Sequence, residues 1–458
     1  MESPQLSKVV IIGAGLTGLV TAHYLLKNGI DVKIVEKSNR PGGVIQTIHE
    51  QGFIIESGPN TGVISHPEIT ELFEDLDKDC SVEIANPEAK KRLIWKNGKW
   101  EPLPSGLMPA IKTPLFSLGD KFRILGEPFR KKGTNPDESI ADLVIRRMGR
   151  SYLNYAVDPF ISGIYAGDPT QLVTRFALPK LYALEQTYGS FIGGSIKKRS
   201  EPKEERAAKA TREVFSAKGG LQSLIDALVK SIGSENILLN CLDVTVHPDN
   251  QEFKMTFTKD GTESILFSEK VISTAGGNAV DSIFPFLGET QLNAIKQLEY
   301  AKVVQVALGY KNWKGTSIKA FGGLVPSREK RRILGVLFPS SFFENRAPKN
   351  GALLSVFLGG IKNGSFYYLK DEEIQALVED EIGEMLKIKG IKADVLKIFR
   401  YKYAIPQYTK TTEQRLEAIH FAEKSFPGLM LAGNIRDGIG MGDRIKQGRN
   451  MAEGIING

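Results

Sequence analysis

Three glycines near the amino terminus have the spacing of a site that binds a dinucleotide pyrophosphate. Gly13, Gly15 and Gly18 come directly after residues 8–12, an apolar run typical of a buried parallel strand, and apolar residues then recur at helical spacing as far as Leu26. In this pattern the first glycine permits a tight turn, the second lets the backbone approach a phosphate, and the third allows close packing of helix on strand. The free N–H groups at the start of the helix would face the phosphate charge.

An acidic residue at the end of the next predicted strand extends the pattern. Residues 31–36 predict a second strand that ends at Glu36. A carboxylate at this place accepts hydrogen bonds from ribose hydroxyls and would repel the 2′-phosphate of NADP. Two strands joined by one helix form a right-handed unit with parallel strands. The sequence therefore predicts a dinucleotide-binding fold that does not take NADP.

Composition and charge limit the class of protein to which this site belongs. The chain has 458 residues, of which 41% are apolar, so it predicts several structural units with ordinary cores. Two cysteines, Cys80 and Cys241, and five scattered histidines predict neither a disulfide framework nor a metal site, which favours a reducing compartment. The net charge of +7 is modest for this length and does not predict a nucleic-acid partner. Residues 9–26 lack charged side chains, but their glycine spacing argues against a membrane span or an export signal.

A second glycine-rich segment follows the predicted ribose-binding acid and resembles the flavin-dependent amine oxidase superfamily. Members of that superfamily carry an Arg-x-Gly-Gly element folded against the pyrophosphate of FAD, and Arg40, Gly42 and Gly43 match it. Adjacent glycines can present backbone amides to an anion, and an arginine can offset its charge. Residues 431–442 resemble the superfamily's second FAD element, where a helix that begins after Gly442 would direct its positive end at the flavin. Neither cysteine lies in this element, so the resemblance implies that FAD is bound non-covalently.

Within that superfamily, the sequence is similar to the protoporphyrinogen oxidases over nearly the whole chain. The most distinctive motif is Ser-Gly-Ile-Tyr-Ala-Gly-Asp-Pro at residues 162–169. Other matching segments are residues 56–60, 92–95, 321–324, 334–337, 345–348 and 357–360. The resemblance implies an α/β fold, α+β overall, in which a Rossmann-like FAD-binding domain accompanies a mixed-sheet substrate domain and an inserted helical membrane-associating domain.

The implied domains interleave along the chain. The FAD-binding domain takes residues 1–87, 234–300 and 405–458, the substrate domain takes residues 88–103, 204–233 and 301–404, and the helical domain takes residues 104–203. In the helical domain, the basic residues Lys112, Lys121, Arg123, Arg130, Lys131 and Lys132 are interspersed with Leu115, Phe116, Phe122, Ile124 and Phe129. Two interpretations stay open: these apolar side chains contact an anionic membrane leaflet, or they face the core of an ordinary helical domain. We accordingly expect the protein in the cytoplasm or peripherally on the inner face of the cell membrane.

The resemblance also implies which residues contact substrate and cofactor. Arg92 matches an arginine that pairs with a porphyrin propionate, a task that suits a planar guanidinium. Leu324, Leu337 and Phe357 match residues that clamp the macrocycle beside the flavin, and Gly167 matches a glycine at the active-site mouth whose backbone borders the substrate. Without the resemblance, Arg92 would be interpreted as surface charge and the three apolar residues as core. The residues implied for FAD are Gly13, Ala14, Gly15, Leu16, Thr17, Gly18, Glu36, Lys37, Arg40, Gly42, Gly43, Val44, Gly58, Pro59, Asn60, Thr61, Val244 (through its backbone, to the adenine), and Asn434, Ile439, Gly440 and Met441 (along the flavin).

The activity that the resemblance implies is oxidation of protoporphyrinogen IX to protoporphyrin IX in haem biosynthesis. A meso carbon of the tetrapyrrole gives hydride to FAD, and molecular oxygen or another acceptor then reoxidises the flavin, with hydrogen peroxide as the product from oxygen. Three such rounds remove all six electrons. Two alternatives stay open: a coproporphyrinogen III oxidase, whose substrate carries two more propionates and needs a second basic anchor, and a non-catalytic FAD-binding scaffold. The oligomeric state also stays open, a homodimer included.

Overall fold

The structure is a computed structural model that describes residues 5–202 and 204–458. Residues 1–4 and Lys203, which the predicted domains 1–87 and 104–203 include, lie outside the described residues. The strands are β1 (Gln5–Ile12), β2 (Val32–Val35), β3 (Gln46–Glu50), β4 (Phe53–Ser57), β5 (Gly62–Val63), β6 (Val82–Ile84), β7 (Arg92–Lys96), β8 (Lys99–Pro102), β9 (Val214–Ala217), β10 (Ile237–Leu238), β11 (Cys241–Asp249), β12 (Glu252–Lys259), β13 (Thr262–Ser273), β14 (Tyr300–Tyr310), β15 (Gly322–Leu324), β16 (Gly335–Leu337), β17 (Ala352–Gly359), β18 (Val395–Pro406) and β19 (Leu429–Leu431). The α-helices are α1 (Leu16–Lys27), α2 (Pro67–Asp75), α3 (Leu107–Lys112), α4 (Leu118–Leu125), α5 (Ile140–Arg147), α6 (Arg150–Tyr152), α7 (Asp158–Phe160), α8 (Thr174–Ala177), α9 (Pro179–Tyr188), α10 (Phe191–Ser200), α11 (Glu205–Ala208), α12 (Gln222–Ile232), α13 (Val280–Ile283), α14 (Glu289–Lys296), α15 (Pro339–Phe342), α16 (Asp371–Met385), α17 (Thr412–Ser425) and α18 (Met441–Ile456).

The first large sheet is built around the predicted dinucleotide-binding unit. Its strand order is β10-β2-β1-β13-β12-β11, and β19 pairs with the last residues of β13. β1 runs parallel to β2, with Val9 opposite Val32, and parallel to β13, whereas β11, β12 and β13 form an antiparallel meander. Ile11 and Ile34 are fully buried, as expected for parallel strands covered on both faces. The predicted strand–helix–strand unit is confirmed, with strand bounds that differ from the predicted ones by a few residues.

Helices cover both faces of this sheet. On one face α1 packs with α12 and α18, and on the other lie α13, α14 and α17. Helices α1 and α18 approach closely because Gly448 carries no side chain, and a Cβ there would lie 2.7 Å from the carbonyl oxygen of Thr17. Helix α12, from a segment predicted for the substrate domain, shares its core with α1. The division into domains stays a prediction.

The second large sheet is mixed and has the order β18-β14-β17-β16-β15-β7-β8. β7 runs parallel to β15, and the other neighbouring strands of this sheet run antiparallel. Helix α16 covers one face, where Val378 and Ile382 share a core with Val304 and Val356. On the opposite face Leu324 packs in a cluster with residues of the helical region. The pairing of β7 with β15 brings together segments that lie far apart in the sequence.

The helical region between β8 and β9 packs over that second face. Helices α6 and α7 are continuous with two π-helical segments, Leu153–Val157 and Ile161–Tyr165. Among the apolar residues for which the sequence left membrane contact and core packing open, Leu115 and Phe116 are buried, whereas Phe122 and Phe129 are exposed. Ile124 is half-buried. Within residues 5–202 and 204–458, no helix is both long enough and apolar enough to cross a membrane.

Candidate active site

The three glycines of the amino-terminal motif have different surroundings. Gly13 has a φ of +101°, which favours glycine, and it lies against the side chain of Thr274. A Cβ on Gly18 would overlap the carbonyl oxygen of Gly13, so α1 packs directly on the turn. At Gly15, by contrast, a Cβ would meet no heavy atom of the described residues within 4 Å. The backbone at Gly15 therefore faces open space, as the approach of a pyrophosphate requires.

The amino terminus of α1 carries hydrogen-bond donors without acceptors. Gly15 is the N-cap residue, and a glycine offers no side chain to accept from the first turn. The hydroxyl of Thr17, in that turn, is buried and has no hydrogen-bond partner among the residues that the structure describes. An anion in front of the helix would accept from such groups. These residues fit the pyrophosphate of a dinucleotide.

Glu36 lies at the end of β2, between two loops. One carboxylate oxygen accepts the N–H of Ala14 at 2.7 Å, and the other accepts the N–H of Ser38 at 2.8 Å. Each oxygen has a further lone pair, so the carboxylate can also accept ribose hydroxyls. A register shift in the pairing of β11 with β12 leaves the backbone of Val244 outside the regular ladder.

The loop that contains Arg40 folds against the turn of the amino-terminal motif. We call these two segments, residues 13–18 and 40–44, the flavin cradle. Gly42 donates its N–H to the carbonyl oxygen of Ala14 at 2.8 Å, and a Cβ on Gly43 would lie 3.4 Å from the Cα of Gly15. Both loop glycines have positive φ, +101° and +60°. Arg40 donates to the carbonyl oxygen of Gly43 at 2.7 Å. Its guanidinium thus holds the shape of the loop, in addition to any interaction with an anion.

A buried glutamine of the second sheet, which no sequence motif singled out, contacts the chain at residues 56–58, beside the flavin cradle. Gln305 is 1% exposed; it accepts the N–H of Gly58 at 2.9 Å and donates to the carbonyl oxygen of Glu56 at 2.8 Å. The same amide nitrogen donates to the hydroxyl of Ser355 at 3.0 Å. Its signal in the sequence is a polar side chain in the apolar run of β14, since buried polar residues are usually placed there for a partner.

The side chain of Glu56 lies at the start of α12. Its carboxyl oxygens accept the N–H of Leu221 at 2.9 Å and the hydroxyl of Thr47 at 2.8 Å. Burial raises the pKa of Glu56 to about 7, although these two hydrogen bonds act in the opposite direction. This carboxyl group therefore titrates near neutral pH.

The predicted second flavin element is held by both neighbouring elements. Gly433 donates its N–H to the side chain of Gln447 in α18 at 2.7 Å. Tyr300, at the start of β14, donates its hydroxyl to the side chain of Asn434 at 3.1 Å. The loop between β19 and α18 is thus anchored to the first sheet's helix and to the second sheet's longest central strand.

Helix α18 begins at Met441, earlier than the predicted start after Gly442. Its first turn contains Asp443, which accepts the N–H of Gly440 at 3.0 Å. Burial would raise the pKa of Asp443, but hydrogen bonds from His66 and Gly440 hold it below its ordinary value. The carboxylate therefore offsets part of the positive end of α18.

The residues that the sequence assigned to FAD differ in exposure. The buried ones are Ala14, Leu16, Thr17, Gly18, Glu36, Gly42, Asn60 and Met441. The half-buried ones are Gly13, Gly15, Arg40, Gly58, Pro59, Thr61, Val244, Asn434 and Ile439. The exposed ones are Lys37, Gly43, Val44 and Gly440.

Four residues that the sequence assigned to the substrate lie on one face of the second sheet. Through an intervening glycine, Arg92 aligns with Leu337 in one cross-strand row. Through another glycine, Leu324 aligns with Phe357 in the next row of that face. Directly opposed residues project to the same side of a sheet, as do residues two apart on one strand. The register therefore places a cation beside three large apolar side chains, which we call the substrate face.

Arg92 occupies the open edge of the substrate face. The residue is exposed, and its guanidinium lies 5.9 Å from the centre of the Phe321 ring. An aromatic ring at this distance attracts a cation without occupying its hydrogen-bond donors. Those donors remain available to a carboxylate of a ligand.

Glycines let the helical region approach the substrate face. A Cβ on Gly163 would overlap the side chain of Leu324. A Cβ on Gly167 would lie 2.6 Å from the side-chain oxygen of Gln407, whose amide nitrogen donates to the carbonyl oxygen of Tyr165 at 2.9 Å. Larger residues at either glycine would therefore displace the helical region from the face.

A cavity continues from the substrate face at the end away from Arg92. It measures about 350 Å³, and its lining includes Gly167, Leu334 and Gly359. Gly359 lies beyond Phe357 along β17, and Leu334 directly precedes β16, so the cavity lies at the end of the substrate face that is away from Arg92.

Comparison with known proteins decides the family. The family of flavin containing amine oxidoreductases matches residues 16–456. The chain belongs to this family. As a flavin-containing amine oxidoreductase family member, it is an oxidoreductase that uses a flavin, and the class of enzyme predicted from the sequence is confirmed.

Individual relatives of the same family align with nearly the whole chain. Protoporphyrinogen oxidase 1, chloroplastic, of Arabidopsis thaliana is 31% identical and is covered over 85% of its length by 94% of this chain. Coproporphyrinogen III oxidase of Bacillus subtilis is 27% identical, with 96% of each chain covered. A solved structure from Exiguobacterium has a TM-score of 0.81 at 23% identity and covers 99% of both chains. The predicted resemblance and the predicted fold class are confirmed.

Proposed function

We propose that this flavoenzyme oxidises protoporphyrinogen IX to protoporphyrin IX, with non-covalent FAD and with molecular oxygen as electron acceptor. The observation that carries the proposal is the register of the second sheet, which places Arg92 beside Leu324, Leu337 and Phe357. An apolar macrocycle with propionates at one edge suits such a face, because burial of its area stabilises the complex while a cation fixes its orientation. The similarity to the chloroplast relative supports the same substrate.

The residues of the substrate face have separate tasks in this reaction. Arg92 pairs with a propionate at the open edge, and the three apolar side chains pack on the macrocycle and exclude water from the reacting carbon. The backbone of Gly167 borders the entrance. FAD, when bound, supplies the acceptor for two electrons and one proton. Overall, one protoporphyrinogen and three O₂ give one protoporphyrin and three H₂O₂.

Two features support FAD without a covalent link. The open backbone at Gly15 and the buried hydroxyl of Thr17 suit a pyrophosphate. Cys80 and Cys241 are buried and lie outside residues 431–442, and burial raises the pKa of each thiol to about 11. Neither residue therefore supplies the thiolate that a thioether link would require.

Coproporphyrinogen III is the second candidate substrate, and Lys330 is the residue that favours it. Lys330 is exposed and lines the cavity opposite Arg92, where a second pair of propionates would lie. Other cations of this lining are engaged: Arg331 pairs with Glu381 at 2.8 Å and Lys362 pairs with Asp158 at 2.9 Å. A paired cation attracts a further carboxylate weakly. The cavity end of the substrate face thus offers less positive charge than two further propionates need. This favours protoporphyrinogen over coproporphyrinogen as the substrate.

The surface of α4 supports peripheral contact with a membrane. Leu118, Phe122 and Leu125 follow helical spacing and are 71%, 72% and 65% exposed, and Phe129 beyond them is 90% exposed. We call the first three residues the α4 apolar face. An apolar stripe bordered by basic residues is typical of a helix that lies in the interface of an anionic membrane. This position would bring the protein to the lipid phase in which an apolar porphyrinogen dissolves.

The deciding experiment mixes the FAD-loaded protein anaerobically with each porphyrinogen and follows flavin absorbance. Faster bleaching by protoporphyrinogen IX than by coproporphyrinogen III supports the proposal, and the reverse order supports the second candidate. Bleaching by neither substrate would leave a flavoprotein without this activity. On admission of air, three molecules of hydrogen peroxide should appear for each porphyrin formed.

A further inference from the structure

A fully buried arginine lies behind the second flavin element. Arg415, in the first turn of α17, is 0% exposed. Its Nε donates to the carbonyl oxygen of Ile435 at 2.8 Å, and one terminal nitrogen reaches the hydroxyl of Thr412 at 3.4 Å. The other terminal nitrogen, Nη1, has no hydrogen-bond partner within residues 5–202 and 204–458. A guanidinium has five N–H donors, so most of the capacity of this one is unused.

Arg147 shows how the same chain pairs another buried arginine. Arg147 is also 0% exposed, but it donates to the carboxylates of Glu127 at 2.7 Å and Glu185 at 2.8 Å. For Arg415, by contrast, no carboxylate of residues 5–202 and 204–458 lies within 4.0 Å, and the centre of the Tyr408 ring is 5.8 Å from the guanidinium carbon. Burial lowers the pKa of Arg415, yet a guanidinium stays charged in a protein. A buried cation without an anion is strongly unfavourable unless a ligand supplies the opposite charge.

The groups around Arg415 hold the second flavin element. Tyr408 donates its hydroxyl to the carbonyl oxygen of Gly438 at 3.0 Å. Tyr300 donates its hydroxyl to Asn434 of the same element at 3.1 Å. Arg415 therefore sits directly behind the loop that our proposed function places along the flavin.

FAD is the anion that this region would receive. When it accepts a hydride, which is two electrons and one proton, the flavin gains one negative charge. We propose that Arg415 is the buried counter-charge of the flavin and favours its reduced, negatively charged form from behind the loop at residues 433–441. Arg415 lies on α17 and hydrogen-bonds this loop through the carbonyl oxygen of Ile435, so it is a positioning residue that acts through the loop. The inference rests on FAD being the cofactor and is independent of which porphyrinogen is oxidised.

The test compares Arg415→Met with Arg415→Lys in FAD-loaded protein. The reduction potential of the flavin is measured against redox dyes, with no porphyrinogen present. At a fixed potential, the ratio of reduced to oxidised flavin should fall about tenfold in Arg415→Met, which is about 30 mV for a two-electron couple. Arg415→Lys should keep this ratio within about threefold of the wild type, because an ammonium retains the charge.

Lys424→Met is the matched control, because Lys424 is an exposed cation on the same helix whose charge the solvent screens. Its flavin should have the wild-type potential. An unchanged potential in fully loaded Arg415→Met would overturn the proposal. If that variant does not bind FAD, Arg415→Gln takes its place. If none of the Met, Gln and Lys variants binds FAD, Arg415 has a structural role and the proposal is overturned. If only the Lys variant binds FAD, the need for a positive charge is supported. A protein that oxidises neither porphyrinogen would refute the proposed function and leave this result unaffected.

Discussion

Gly58 donates its backbone N–H to the side-chain oxygen of Gln305 at 2.9 Å, and this contact joins the loop beside the flavin cradle to the substrate face. Gln305 lies directly opposite Phe357 in the pairing of β14 with β17. One buried carboxamide thus fixes the cradle relative to the apolar clamp. Because hydride transfer requires donor and acceptor in close register, the spacing between these two parts matters to the rate as well as to stability.

Replacement of this carboxamide should destabilise the protein. Gln305→Leu leaves the N–H of Gly58, the carbonyl oxygen of Glu56 and the hydroxyl of Ser355 without their partner, and each buried unpaired group costs about 1–3 kcal/mol. We expect the free energy of unfolding in urea to fall by at least about 2 kcal/mol. Gln297→Leu, at an exposed position, is the control and should change it by less than about 0.5 kcal/mol. Equal free energies of unfolding for both variants would show that the hydrogen bonds of Gln305 do not stabilise the protein.

Two neighbouring glycines should respond to substitution in opposite ways. Gly15 has φ −74° and open space in front of it, so Gly15→Val should fold normally and purify without flavin, because the branched side chain occupies the place of a phosphate. In Gly18→Ala the new methyl group would overlap the carbonyl oxygen of Gly13, so we expect loss of the folded protein itself. The measurements are the flavin-to-protein absorbance ratio and the melting temperature relative to wild-type apoprotein. Normal flavin content in Gly15→Val would contradict the placement of a cofactor phosphate against Gly15.

The parts of the fold that could be predicted from the sequence are those with local signals. The turn at Gly13 and the strand that ends at Glu36 follow from glycine spacing and from the period of apolar residues. The alignment of Arg92 with Leu337 has no such signal, because it depends on β7 pairing with a strand far along the chain. For that reason only the resemblance to a family pointed to these residues.

Local sequence patterns also could not predict which side chains are buried. Leu115 and Phe122 belong to one mixed basic and apolar segment, yet one is 0% and the other 72% exposed. Amphipathic spacing shows that a helix has an apolar side but does not show which way that side faces. Arg415 was missed for the same reason, since a lone arginine in a charged helix looks like a surface residue until tertiary packing encloses it.

Substitution of Arg92 separates a substrate anchor from surface charge. Arg92→Ala should lose a charge-assisted contact of about 1.5–3 kcal/mol, which lowers kcat/KM for protoporphyrinogen roughly ten- to hundredfold. Arg92→Lys should recover part of this loss, because an ammonium cannot reproduce the bidentate fork. The adjacent Lys91→Ala is the control, since Lys91 is exposed and precedes β7. The ratio is to be measured at matched flavin loading; a value for Arg92→Ala equal to that of the control would remove Arg92 from the site.

Membrane contact should depend on the α4 apolar face. The triple variant Leu118→Ser, Phe122→Ser, Leu125→Ser removes three exposed apolar side chains, each able to contribute about 1.5–3 kcal/mol on burial in lipid. Sedimentation with anionic phospholipid vesicles should fall by more than about tenfold, and the melting temperature should stay unchanged because these side chains are not in the core. Phe421→Ser, at a position 56% exposed on α17, is the control and should sediment as the wild type does. Equal sedimentation of the triple variant would refute this surface.

The last prediction concerns the buried carboxyl group of Glu56, whose pKa burial raises from its ordinary value of 4.5 to about 7. Between these two values the native state keeps the proton that the unfolded state has lost, so the contribution of Glu56 to stability falls as pH rises through this range and becomes constant above it. Glu56→Gln replaces the group by a neutral amide and should remove this part of the pH dependence. At pH 8 the variant should therefore be more stable than the wild type, by up to about 3 kcal/mol at 1.36 kcal/mol per pKa unit. Urea unfolding from pH 5 to pH 8 gives the free energy of unfolding of both proteins, and the difference between them cancels the contributions of all other titrating groups.

Glu263→Gln, at an exposed position on β13, is the control and should follow the wild-type profile. Parallel profiles for the wild type and Glu56→Gln would mean that Glu56 is ionised in the folded protein throughout this range.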